Sequence, residues 1–121
     1  MMDQAELGAL FGGLRTTVTI ADENYRIVFM NDLSVAHYAK GGGAALIGTD
    51  LLDCHNAASQ DMIRQMYARY QGGDLTPTRY HEDKGDGQGK SFVFIPLVVE
   101  GQFRGIAELI WRERAELVFE I

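Results

Sequence analysis

The sequence predicts an α+β fold: an antiparallel sheet with helices packed on one face and a further helix at the N-terminus. Three observations carry this. Two short runs of period-two apolar alternation stand close together near the start, around Val18 and Ile20 and around Ile27 and Phe29. Three more strand-like runs follow Pro77. Between the two groups the apolar period is helical. A leading pair and a trailing triplet of strands with helices between them suit an antiparallel sheet covered on one face.

Bulk properties narrow the class. The 121 residues fit one domain, and 46% hydrophobic content suffices for a core without a metal or disulfide. Cys54 is the single cysteine, so no intramolecular disulfide exists, which fits a reducing, cytoplasmic setting. The N-terminus lacks the pattern of a signal peptide, and no apolar run reaches the ~18 residues of a membrane span. The formal charge of −6 disfavours nucleic acid as a partner.

In order, Leu7, Leu10, Phe11 and Leu14 form one helical stripe over residues 5–14, with Asp3 as its N-cap. So short a helix needs something to lie on. The two leading strands meet through the turn formers Asp22, Glu23 and Asn24. Asn31 or Asp32 caps a short helix that Gly41, Gly42 and Gly43 end. A short apolar piece over residues 44–47 stops at Gly48. Thr49 or Asp50 caps a turn carrying Leu51, Leu52, Cys54 and His55. Asn56 or Ser59 caps the clearest helix, whose stripe is Met62, Ile63, Met66, Tyr67 and Tyr70. Residues 78–82 read as a weak strand and residues 83–90 as a glycine-rich turn. Residues 91–99 read as a central, largely buried strand in which Pro96 demands a bulge or an unpaired position. Glu100, Gly101 and Gln102 turn the chain into a last strand over residues 103–111. In residues 115–121, AELVFEI, helix and strand patterns fit equally. The organisation is an N-terminal helical cap (1–15), a core (16–111) and a C-terminal extension (112–121).

The core resembles the PAS domain, the small sensory module of signalling proteins. The resemblance rests on Ile20, Ala21 and Asp22 leading into the first turn. It continues with Ile27 to Asn31 as a strand ending in Asn, and with Leu46, Ile47 and Gly48 before a short helix. Residues 103–108, FRGIAE, look like the family's last strand. The resemblance implies a five-stranded sheet of order 2-1-5-4-3, with a small-molecule cavity between sheet and helices. It also implies a homodimer, with Leu7, Leu10, Phe11 and Leu14 as contacts, and a downstream signalling protein or fused output domain. It leaves the ligand open, since members bind haem, flavins, small acids or nothing.

Pocket and core share composition, so the ligand contacts expected here span both: Phe29, Asn31, Tyr38, Leu52, His55, Met66, Phe92 and Phe94. Asn31, His55 and Arg79 are the polar candidates among the residues facing such a pocket. If haem binds, His55 or His37 is its ligand. The run that carries the reactive cysteine of flavin photosensors in this family is absent around Cys54. Adjacent Cys54 and His55 invite a nucleophile reading, but neighbours on a helix point about 100° apart. No catalytic residue is assigned, and the chain reads as a non-enzyme. Asp50, Asp53 and His55 are too few for a closed metal site. His81 reads as part of a solvated polar edge. The alternative to a ligand sensor is a ligand-free dimerisation module with a filled core, which the apolar N-terminal stripe and the apolar tail suggest.

Overall fold

The computed structural model describes every residue except Asp83, Lys84, Asp86, Gly87, Gln88 and Arg114. The glycine-rich turn expected over residues 83–90 therefore lies largely outside the described residues. The elements are α1 (Gln4–Gly12), β1 (Thr17–Asp22), β2 (Ile27–Met30), α2 (Asp32–His37), α3 (Ala57–Gln71), β3 (Thr78–Glu82), β4 (Lys90–Val99) and β5 (Gln102–Arg112). Three 3₁₀ turns, Ala39–Gly41, Gly43–Leu46 and Leu51–Cys54, join α2 to α3. The five strands form one antiparallel sheet of order β2-β1-β5-β4-β3.

Local chemistry sets the boundaries. Asp3 caps α1, its carboxylate accepting from the Glu6 amide at 2.8 Å. Asp50 caps the third 3₁₀ turn through the Leu52 amide, and Asn56 caps α3 through the Ser59 amide. The β4–β5 turn places Glu100 and Gly101 at positive φ (52° and 79°), the pattern of a two-residue hairpin. Gly105 is required by packing. Its φ of +147° is poorly open to side chains, and a Cβ there would collide with the Ala21 carbonyl of β1.

Asn31 locks the first half of the fold together. Its side chain is fully buried. Its Oδ1 accepts from the amides of Val18 (3.1 Å) and Ser34 (3.0 Å), and its Nδ2 donates to the carbonyls of Leu14 (3.2 Å) and Thr16 (2.6 Å). One amide thus holds the end of the N-terminal segment, β1 and the first turn of α2. Beside it, the Thr19 and Ser34 hydroxyls share a hydrogen bond of 2.5 Å.

That bond also fixes which face of β1 meets the helices. Thr19 and Ala21 point toward them, so the apolar Val18 and Ile20 point the other way. The β1–β2 pairing shifts register between Ile20 and Ala21, so Ile27 and Met30 face the core while Phe29 sits opposite Ile20. The core joins Ala21, Ile27, Met30, Phe94 and Ile106 of the sheet to Leu51, Leu52, Ile63, Met66, Tyr67 and Tyr70. Burying each large apolar side chain contributes roughly 1.5–3 kcal/mol, so α3 is the main cover of the sheet. The Tyr67 hydroxyl donates to the Asp22 carbonyl at 2.9 Å, pinning α3 over β1.

Two expectations fail here. β4 is not largely buried: Ile95, Val98 and Val99 are exposed, because its far face carries no helix. The more deeply buried strand is β5, the middle one of the five, with Ile106, Ala107, Glu108 and Ile110 buried. Pro96 pairs with Ile106 of β5, while β3 reaches only to Phe94, leaving that side of Pro96 unpaired as its missing N–H requires. Residues 115–121 form neither helix nor strand, and Leu117, Val118, Phe119 and Ile121 are exposed.

Replacing Asn31 by Ala should strand buried donors and acceptors on three segments and cost about 2–4 kcal/mol. Urea unfolding followed by circular dichroism measures it, as a lower midpoint with an unchanged slope.

Candidate functional site

A cavity of about 360 Å³ opens between α3, the 3₁₀ turns and the β3–β4 side of the sheet. Its apolar wall is Met62, Ile63, Tyr80, Phe92 and Phe94, and its polar groups include His37, Tyr38, His55 and Glu108. A smaller hollow of about 220 Å³ adjoins it, lined by Thr19, Met30, Leu46 and Cys54 among others. Tyr38, His55 and Glu108 line both, so these three side chains stand where the two spaces meet. A separate hollow of about 450 Å³ lies by the β4–β5 turn, but Glu23, the carboxylate at its wall, is already paired with Arg104.

Glu108 is the unusual group. It sits mid-way along β5, opposite Thr19 on β1 and Phe94 on β4, and is only 5% exposed. The Tyr38 hydroxyl donates to its Oε1 at 2.6 Å. Its Oε2 has no partner among the described residues. Yet no fully buried side-chain polar atom there lacks one, so Oε2 keeps its accessibility through the cavity. Burial pushes the Glu108 pKa above the ordinary carboxyl value, against the opposing pull of the Tyr38 hydrogen bond, His55 and Lys90. Burial, then the nearby Glu108 charge, pushes the Tyr38 hydroxyl's pKa up.

The histidines differ in role. His55 Nδ1 lies 2.8 Å from the Leu51 carbonyl. A carbonyl can only accept, so Nδ1 carries a proton and donates, leaving Nε2 outside that bond. His37 packs edge-on against Tyr38, and burial, Lys90 and Arg112 lower its pKa. His81 belongs to the cavity rim rather than to a purely solvated edge. Its Nδ1 meets Ser91 Oγ at 3.0 Å and its Nε2 meets Glu113 at 3.2 Å, tying edge strand β3 to the start of the C-terminal extension.

Of the expected ligand contacts, Tyr38, His55, Phe92 and Phe94 line the cavity. The other expected contacts sit elsewhere. Phe29 falls on the far face of the sheet because of the β1–β2 register shift. Asn31 spends all its hydrogen-bonding capacity on backbone. Leu52 and Met66 are sealed in the core, and Arg79 is exposed on β3. The group missed by sequence reasoning is Glu108. Its signal was present as a lone acidic residue at an inward position in the apolar middle of the strand, between Ile106 and Ile110.

The Cys54 thiol donates to the Leu51 carbonyl at 3.2 Å and lies 3.5 Å from the Nδ1 of His55, which is engaged by the same carbonyl, and burial raises the thiol's pKa. Among the described residues no His, Cys, Asp and Glu cluster could hold a metal ion, and no helix is long and apolar enough to cross a membrane.

No family model and no curated protein matches the chain. Solved structures do. The PAS domain of Bordetella pertussis BvgS is 20% identical, with a TM-score of 0.62, and the match covers 94% of this chain and 90% of that one. The fold is that of a PAS domain. A C-terminal domain from Streptococcus mutans superposes with a TM-score of 0.74 at 13% identity, covering 92% of this chain and 85% of that one. A sensory box sensor histidine kinase from Vibrio cholerae gives 0.61 at 15% identity, covering 91% and 90%. In PAS terms, the cavity lies between the sheet and the helices that follow β2, where the resemblance implied one.

Two predictions follow from the site. Burial raises the proton affinity of Glu108 in the folded chain above that in the unfolded chain. At pH below the ordinary carboxyl range both states are protonated and Glu108 costs nothing. As pH rises, the unfolded chain ionises first, so stability falls until folded Glu108 ionises too. Glu108→Gln should remove that loss, and melting temperatures measured across pH will show a flatter alkaline limb than the wild type. Separately, Cys54 should alkylate with iodoacetamide more slowly than a cysteine peptide at about pH 8, followed by mass spectrometry.

Proposed function

We propose that this PAS domain is a non-enzymatic sensor that holds a small organic molecule between sheet and helices and signals through contacts with a second copy of itself. The observation that carries the reading is the cavity, with its apolar and aromatic wall and a buried carboxyl whose Oε2 is left to face it. A filled core would have no use for such a group, because a buried polar atom without a partner costs folding free energy.

The dimer half of the reading rests on α1. None of its residues is buried, and Leu7, Leu10, Phe11 and the following Leu14 are all exposed. An apolar stripe of this kind on so short a helix is stabilised by a partner surface. The His81–Glu113 contact offers a route from the cavity rim to the C-terminal extension, toward a fused output domain or a separate signalling protein. The thiol of Cys54 suits a reducing, cytoplasmic setting.

Haem is the second reading, favoured by one observation. The Nδ1–H of His55 is held by a carbonyl, the usual arrangement that leaves Nε2 for a metal. His55 would hold the group, which would supply gas or redox chemistry when bound. Against this fit, Glu108 puts a carboxyl deep in the space that an apolar macrocycle would fill.

Protein purified without added ligand should release a small molecule in a near one-to-one ratio on denaturation, identified by native mass spectrometry. Met62→Trp, placed at the half-open mouth of the cavity, should abolish the release while leaving the melting transition cooperative. A Soret band in the absorption spectrum would move the haem reading to first place. Wild type as empty as the variant would leave the ligand-free dimerisation module. For the dimer, light scattering should give twice the chain mass, falling to one chain in the double variant Leu10→Glu, Phe11→Glu.

A further inference from the structure

We infer that the cavity selects a small organic cation: an N–H⁺ group that meets Glu108 Oε2, carried on an apolar body of about the size of one aromatic ring. This rests on the reading of the cavity as a ligand site and adds the chemical class of the ligand.

The argument begins with what Glu108 lacks. Its Oε1 is satisfied by Tyr38, and Oε2 has no donor among the described residues. No Lys, Arg or His there forms an ion pair with it. A ligand that enters must therefore end its buried surface at a carboxyl in a low-dielectric space. An anionic ligand would face like-charge repulsion there or need a proton trapped between the two groups. A neutral donor would satisfy Oε2, but a cation satisfies it and neutralises the charge as well, and charge-assisted bonds are the stronger kind.

The walls fit the same class. Tyr80, Phe92 and Phe94 present aromatic surface, and the Tyr80 and Phe94 rings meet edge-on at 5.8 Å between centroids. Aromatic faces attract cations as well as apolar bodies. Ile63 and Met62 close the other side. The chain's formal charge of −6 also draws cations toward it. The titratable groups around the site are Tyr38 and His37 from α2 and its end, His55 from the end of the third 3₁₀ turn, Tyr80, His81 and Glu82 from β3, Lys90 from β4 and Arg112 from β5. Lys90 Nζ lies 5.2 Å from the Phe92 ring centroid, so it already has an aromatic contact there.

The test compares three molecules that share a benzyl or benzoyl ring: benzylammonium, neutral benzyl alcohol and anionic benzoate. Each is titrated calorimetrically into the full chain freed of any co-purified molecule. Benzylammonium should bind at least about tenfold more tightly than benzyl alcohol, with benzoate weaker than both. Glu108→Gln, which keeps an acceptor for Tyr38, should remove the preference for benzylammonium over benzyl alcohol. A second readout does not depend on the variant folding. Benzylammonium binding should release protons as Glu108 ionises, measured from the buffer dependence of the heat between about pH 5 and about pH 8, and the release should shrink as pH rises.

Equal binding of the alcohol, or tighter binding of benzoate, overturns the cation assignment but leaves the cavity as a ligand site. Unchanged benzylammonium affinity in Glu108→Gln, or no proton release at any pH in that range, does the same. If none of the three binds, both the cation assignment and the cavity reading fall.

Discussion

The fold depends on one buried amide. Asn31 is the last residue before α2, and its side chain is the common partner of the segment entering β1, of β1 itself and of the helix that follows β2. Because each bond ends on backbone, the position of α2 relative to the sheet is fixed by geometry rather than by side-chain size. That constraint sets where Tyr38 leaves the end of α2, and hence where its hydroxyl meets Glu108 seventy residues later. Ser34, on the same helix, repeats the lock through Thr19. A polar network buried this fully is tolerable only because every member is satisfied.

The cavity follows from how unevenly the sheet is covered. α3 lays Ile63, Met66, Tyr67 and Tyr70 over the sheet, and its two tyrosines pack against Phe103. The remaining cover is the short helix α2 and three 3₁₀ turns, each of three or four residues. Such turns expose few side chains toward the sheet, so they bridge the space without filling it. The backbone bonds of Gly48 to Ile27, Ile27 to Thr49 and Leu51 to Tyr25 hold this thin roof to β2 and to the turn before it. The result is a stable frame around a space whose floor includes one carboxyl. The cost of burying that carboxyl is reduced, but not removed, by Tyr38.

The opposite face of the sheet is open, with Ile95, Val98 and Trp111 exposed. The Trp111 indole reaches Glu116 of the extension at 2.6 Å, so part of the C-terminal segment is anchored beside that face. Together with the uncovered stripe on α1, this gives the molecule exposed apolar surface at the termini and on the outer sheet face. The helix-side face thus carries the cavity, and the termini and outer face carry the exposed apolar side chains.

Element order and caps were legible in the sequence because they are decided locally. Asp3, Asn31, Asp50 and Asn56 act on amides two or three residues away, and the α3 stripe needs only the helical period. Period and turn residues were enough for the α+β class, and the PAS resemblance carried by the short motifs around Asp22, Asn31 and Gly48 implied the strand order that the fold shows. About half of the expected ligand contacts reached the cavity. Those that did not were decided by effects with no local signature. A register shift turned Phe29 outward, four backbone bonds consumed Asn31, and α3 sealed Met66 away from the space beside it. Glu108 was visible as a letter but not as a site. Its meaning comes from Tyr38, Phe94 and Thr19, which only the folded chain brings together, because a carboxyl's burial and partners are properties of the space around it and not of its neighbours in sequence.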